Sequence, residues 1–186
     1  MLQITGGSLR GRKVEPVPDP RTRYTSSMVR QALFSMIDVS DKSFLELFCG
    51  SAVVSIEAIS RGARRAVAVD VSKLAVQIAR KNAHRLGVDL TVLCMDYRRF
   101  LEKNMERFDV VFLDPPYDLG FVSEALKLLA EKDVAETIVV EKSKREKVTI
   151  PDRFELIRQR TYGDSELLIL RRSPALEPES KEVHPV

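Results

Sequence analysis

With 186 residues the chain has room for one domain with a sizeable core and too little for two comfortable ones. Hydrophobic residues at 44% and charged residues at 31% describe an ordinary soluble globular protein, and no apolar run approaches the length that crosses a bilayer. A net charge of +3, two cysteines and two histidines give no basis for a disulfide framework or a metal cluster; with no apolar leader in MLQITGGSLRGRK, the expected compartment is the cytoplasm.

The positive charge is gathered at the front. Arg10, Arg12, Lys13, Arg21, Arg23 and Arg30 face only Glu15 and Asp19 over residues 1–30. Residues 1–24 therefore read as a basic arm, expected to form a hairpin, with Arg10, Arg12, Lys13, Arg21 and Arg23 as candidate phosphate contacts. On charge alone a solvated segment is an equal alternative. SSMVRQALFSMI then spaces Met28, Leu33, Met36 and Ile37 at helical intervals behind Ser26 or Ser27 as the cap. From Ser43 strands and helices alternate: SFLELF, AVVSIEAISRGA, RAVAVDV, SKLAVQIARKNAHRLG, LTVLCM, YRRFLEKNM, FDVVFL, FVSEALKLLAE and ETIVVE. Ser72 should cap the third helix and Gly87 should stop it. This order predicts a mainly parallel, doubly wound α/β sheet over residues 25–172. RFELIRQRTY and SELLILRR flank Gly163-Asp164, which predicts one antiparallel hairpin at the sheet edge. Residues 173–186, rich in Pro and Glu, read as a disordered tail.

The strand ends carry the chemistry. In FDVVFLDPPYDLG, Val110 to Leu113 suit a strand covered on both faces, and Pro115 and Pro116 must stop it because neither can donate a ladder hydrogen bond. Asp114 and Tyr117 then stand just past a strand end, where open α/β sheets bind ligands. A purely structural Asp-Pro turn rarely needs a second proline and an aromatic as well. Gly50 opens a tight turn into a helix, and Asp70, about 20 residues on, has the spacing of an acid that holds a ribose hydroxyl pair. Asp96 ends the next strand and could accept from an adenine amino group. Any one of these acids could be a helix N-cap; their recurrence at successive strand ends points to a ligand.

ELFCGSAVVSIEAISRGA, AVDVSKLAVQIARKN, CMDYRRFL and DVVFLDPPYDLG resemble the cofactor and catalytic motifs of class I S-adenosylmethionine-dependent methyltransferases. ITGGSLRGRKVEPVP and RYTSSMVRQALFSMI resemble the start of the RsmD family, which methylates the guanine N2 amine in 16S ribosomal RNA, and TYGDSELLILRR resembles its closing hairpin. The resemblance implies a Rossmann-like fold with a seven-stranded sheet, helices on both faces and an antiparallel C-terminal hairpin. It implies S-adenosyl-L-methionine as cofactor, held by Thr25, Glu46, Phe48, Gly50, Asp70 and Asp96. It implies Asp114, Pro115 and Tyr117 as the catalytic set, ribosomal RNA or the small ribosomal subunit as partner, and neither membrane nor metal; a monomer is expected. Pyrimidine C5 methylation would need a cysteine nucleophile, and Cys49 and Cys94 read as packing residues.

The chain departs from the family pattern at Glu46, where Asp is usual, and at Ala52 and Ser55, where glycines are usual. Ala52 is expected to weaken cofactor binding, so that Ala52→Gly should tighten it and, were the residue in the first helical turn, lower stability slightly. The rivals are an adenine-N6 or protein-glutamine methyltransferase and, from another class, a noncatalytic RNA-binding assembly factor.

Overall fold

The computed structural model describes residues 2–19, 24–117 and 119–174; Arg21 and Arg23 of the arm and all of the expected tail beyond Pro174 lie outside the described residues. A short antiparallel ribbon, β1 (Leu2–Gln3) with β2 (Lys13–Val14), precedes α1 (Ser27–Met36). There follow β3 (Ser43–Leu47), α2 (Val53–Ser60), β4 (Arg65–Asp70), α3 (Lys73–Leu86), β5 (Thr91–Cys94), α4 (Tyr97–Lys103) and β6 (Phe108–Leu113). The chain continues through α5 (Phe121–Lys132), β7 (Ala135–Ser143), β8 (Phe154–Tyr162) and β9 (Ser165–Arg172). The helix punctuation follows local chemistry. Ser26 and Ser72 cap α1 and α3 through side-chain bonds to the amides of Val29 and Ala75, each at 3.2 Å, and left-handed Gly87 ends α3.

The seven-stranded sheet has the order β5-β4-β3-β6-β7-β9-β8. Its first five strands are parallel, and β9 and β8 add the expected antiparallel hairpin, with Tyr162 level with Ser165 across the turn. Alternate residues within each strand go to opposite layers. Val111 and Leu113 pack with Leu45 and Leu47 under α4 and α5, whereas Val110 and Phe112 join Phe44 against α1, α2 and the ribbon residues Ile4 and Val14. From Val110 to Leu113 β6 is apolar without a break because both of its faces are covered there.

Beyond β3 the backbone turns sharply, and Phe48, Gly50 and Ala52 take φ values of 63°, 51° and 58°. Only glycine adopts that region without strain. Ala52 is not in the first helical turn; it is the left-handed N-cap of α2, it is fully buried, and its methyl packs with Cys49, Ala68, Val76 and Ala79. Both conditions behind the Ala52→Gly expectation therefore change. Relief of left-handed strain, about 1–2 kcal/mol, offsets the roughly 0.8 kcal/mol of one buried methyl together with the roughly 0.5–1 kcal/mol of glycine's added unfolded-state freedom. Ala52→Gly is expected to leave stability unchanged or slightly raised. A thermal or urea denaturation series checks this, and a loss above about 1 kcal/mol would mean that the methyl packing dominates.

Candidate active site at the carboxyl edge of the sheet

Strand register decides what meets at this edge. Leu47 is level with Val69 on one side and Leu113 on the other, and Leu113 is level with Val140. Phe48, Asp70, Asp114 and Glu141 are the next residues and stand together one row on. Between β3 and β6 the sequential order of strands reverses, so the loops on either side diverge and leave a crevice. There lies a cavity of about 680 Å³, lined by Phe48, Gly50, Asp70, Asp114, Pro115 and Tyr117 together with Asp19, Val71, Ser72, Ala75 and Pro116. An adjoining slot of about 130 Å³ shares Phe48, Asp70, Val71 and Pro116, and Asp96 lines it with Met95, Tyr97, Arg98 and Phe121.

The acids are held before any ligand arrives. Asp70 accepts the Gly50 amide at 2.9 Å on one oxygen and the Ser72 amide at 2.8 Å on the other. Each carboxylate oxygen has a second lone pair, so Asp70 can hold the loop and still accept from a hydroxyl pair. Asp96 caps α4 by accepting the Arg98 amide at 2.8 Å. The slot has a stiff aromatic wall: the Phe48 ring lies 4.8 Å from Tyr97 and 6.1 Å from Phe121. Arg98 lies over Tyr97 at 4.7 Å and donates to Glu124 at 2.6 Å, and the Tyr97 hydroxyl donates to the same carboxylate at 2.7 Å. These two donors hold the Glu124 carboxyl down at about 2. Such walls suit a flat ring. Val71 and Phe121 were not singled out from the sequence, because each reads locally as an ordinary loop or helix-start residue. The signal that could find them is their position immediately after a strand end or at the start of the following helix.

On the other wall Asp114 accepts the Thr25 hydroxyl at 3.1 Å, and the Tyr117 hydroxyl lies 2.8 Å from Ser165 Oγ and 3.5 Å from Glu141 Oε1. The tyrosine ring is thus tied by its far end to β7 and β9.

Two residues expected to contact a cofactor do not line the cavity or the slot. Thr25 is buried and meets Asp114 instead. Glu46 is 3% exposed and turns into the second layer, where it accepts the Ser55 amide at 2.8 Å and the Ser55 hydroxyl. Glu46 and Ser55 thus pair with each other, and Ser55, like Ala52, fills the core rather than the cavity. Burial, partly offset by the Ser55 bonds, pushes the Glu46 carboxyl up to about 8. Since the folded group holds its proton where the unfolded one has lost it, the stability it contributes is full below the unfolded pKa of about 4.3 and drains away as pH rises toward 8. Glu46→Gln should flatten this slope and gain roughly 2 kcal/mol relative to the parent between pH 6 and 8. Urea midpoints of both proteins at the two pH values check this; parallel curves would mean that Glu46 stays ionised.

Cys49 is buried, as expected of a packing residue, but Cys94 is exposed, because β5 is the edge strand of the sheet. Arg10, Arg12 and Lys13 are exposed on the ribbon and do not line the cavity.

A family model described as conserved hypothetical protein 95 matches residues 2–171. The ribosomal RNA small subunit methyltransferase D of Escherichia coli is 31% identical over 170 residues, covering 87% of this chain and 85% of its own length. Its counterpart in Haemophilus influenzae is 29% identical, covering 87% and 89%. The solved structure of yhhF from Escherichia coli superposes with a TM-score of 0.82 at 29% identity, covering 92% of this chain and 97% of that one.

Proposed function

The chain belongs to the family described as conserved hypothetical protein 95, the RsmD family, and from that premise we propose that it methylates the exocyclic N2 amine of a guanine in 16S ribosomal RNA with S-adenosyl-L-methionine as donor. The observation that carries this reading is the Asp114-Pro115-Pro116-Tyr117 loop, which lines the cavity opposite Phe48, Gly50 and Asp70. The cavity fits the donor by its parts. Asp70 retains acceptor capacity for ribose hydroxyls, and the narrow aromatic slot beside Asp96 matches an adenine with an amino group to donate. When bound, the donor supplies an electrophilic methyl group on a sulfonium.

An aromatic amine is a poor nucleophile because its lone pair is delocalised into the ring. Asp114 and the Pro115 carbonyl would each accept one amine hydrogen, orienting the nitrogen so that its lone pair faces the methyl. Proline fixes its own φ and restricts the residue before it, so this carbonyl needs no reorganisation as positive charge develops on nitrogen. Tyr117, braced at its hydroxyl by Ser165 and Glu141, offers its ring to a base swung out of its stack. Arg10, Arg12 and Lys13 would meet phosphates on the flank.

Labelled-methyl transfer to small subunits from cells lacking the enzyme, followed by mapping of the product nucleotide, tests this. N2-methylguanine is the expected product. N6-methyladenine or methylglutamine would support a rival methyltransferase, and no transfer at all would support a noncatalytic assembly factor. Among the described residues no helix is long and apolar enough to cross a membrane.

A further inference from the structure

Thr25 stands where the sequence suggested a cofactor contact, yet its hydroxyl donates to Asp114 Oδ2 at 3.1 Å from a buried position, 89 residues away in the chain. We infer that Thr25 is a positioning residue for the amine-binding carboxylate, and that the buried guanidinium of Arg30 sets where Thr25 stands. The inference rests on the proposed amine methylation.

The two prolines after Asp114 stiffen the backbone but leave the side-chain torsions of Asp114 to rotate. A carboxylate that must accept one particular amine hydrogen needs its plane fixed, and a donor on one oxygen does this. Thr25 is well placed to be that donor because its carbonyl and both of its sequence neighbours are hydrogen-bonded. The following residue, Ser26, caps α1 through the Val29 amide at 3.2 Å. The preceding residue, Tyr24, donates its hydroxyl to the Val17 carbonyl at 2.6 Å. The Thr25 carbonyl accepts Arg30 Nη1 at 2.6 Å.

Arg30 is fully buried, which is costly for a cation unless every donor is matched. Its Nη2 donates to the Gln3 carbonyl of β1 at 2.6 Å, and its Nε to Glu57 Oε2 of α2 at 3.2 Å. One planar fork therefore joins the basic ribbon, the helix after the left-handed loop and the Thr25 carbonyl. Lysine cannot reproduce that fork. The ribbon that would meet RNA phosphates and the carboxylate that would hold the amine share this one guanidinium.

The test uses the full chain with donor and small subunits from cells lacking the enzyme. Thr25→Val keeps the shape and removes the hydroxyl, whereas Thr25→Ser keeps the hydroxyl. Thr25→Val should lower kcat roughly 10- to 100-fold with KM for the subunit and the Kd for S-adenosylhomocysteine little changed, and Thr25→Ser should restore most of the rate. Arg30→Lys should lower kcat in the same way, and adding Thr25→Val to it should cost little more, because both act on one carboxylate. A wild-type kcat in Thr25→Val, or a weakened Kd with kcat intact at saturation, overturns the inference, the second result returning Thr25 to cofactor binding. Multiplicative losses in the double variant overturn the role given to Arg30. If the unmodified protein itself transfers no methyl group, the proposed function falls and this inference with it, which is a different outcome from a fully active Thr25→Val.

Discussion

Asp114→Ala is expected to lower single-turnover methyl transfer by about 10²–10³-fold, the size of effect seen when one preorganised polar partner of a transition state is removed. Binding of S-adenosylhomocysteine should stay within about twofold, because the lost interaction forms with the amine and not with the donor. The structure allows this separation: Asp70 and Asp96 sit on the far wall and in the slot, held by the backbone amides of Gly50 and Ser72 and of Arg98, and Asp114 accepts from Thr25. Rapid-quench measurement and calorimetry on the same preparation check both halves. A near-wild-type rate would remove Asp114 from the chemistry, and a collapse of cofactor binding would make it a cofactor ligand.

The largest stability effect is expected at Glu57, on the face of α2 turned to the ribbon. Its carboxylate receives Arg30 Nε at 3.2 Å, Arg61 Nε and Nη2 at 3.0 and 2.9 Å, the Thr5 amide at 3.1 Å and the Thr5 hydroxyl. Neither the Arg30 nor the Glu57 side chain is exposed at all. Glu57→Ala would leave a buried guanidinium without its counter-ion, which costs about 3–5 kcal/mol. Against a total stability of roughly 5–15 kcal/mol for a domain, that is a large share. Urea unfolding should show a lower midpoint, and Glu57→Gln should recover part of the loss by keeping the acceptor. A loss under about 1 kcal/mol would mean that Arg30 swings out to water once released. The same variant should lower kcat through the displaced Thr25 segment, so stability and rate are best measured together.

The alternation of elements, the caps at Ser72 and Gly87, and the Gly163-Asp164 hairpin are legible in the chain because each depends on a local period or a single turn residue. The acids at strand ends are legible for a related reason, since a short apolar run stopped by an acid or proline marks the edge where loops gather. Ala52, Ser55, Glu46 and Thr25 were less legible. Their neighbours in sequence suggest a cofactor loop, but the direction of each side chain depends on what packs against it from elsewhere.

Local sequence by itself determined that β6 stops just before Asp114, because Pro115 and Pro116 cannot continue a ladder, and that α1 begins after Ser26, because the serine can cap it. The cavity depends on more distant relations. Only the tertiary structure decided that β3 and β6 lie side by side with Leu47 level with Leu113, which brings Phe48 opposite Asp114. Only tertiary packing turned the Ala52 methyl into the core and the Thr25 hydroxyl onto Asp114. A cap or a strand stop is settled by bonds spanning two or three residues, whereas the Thr25–Asp114 bond spans 89, and no local preference encodes which distant group will arrive to accept it.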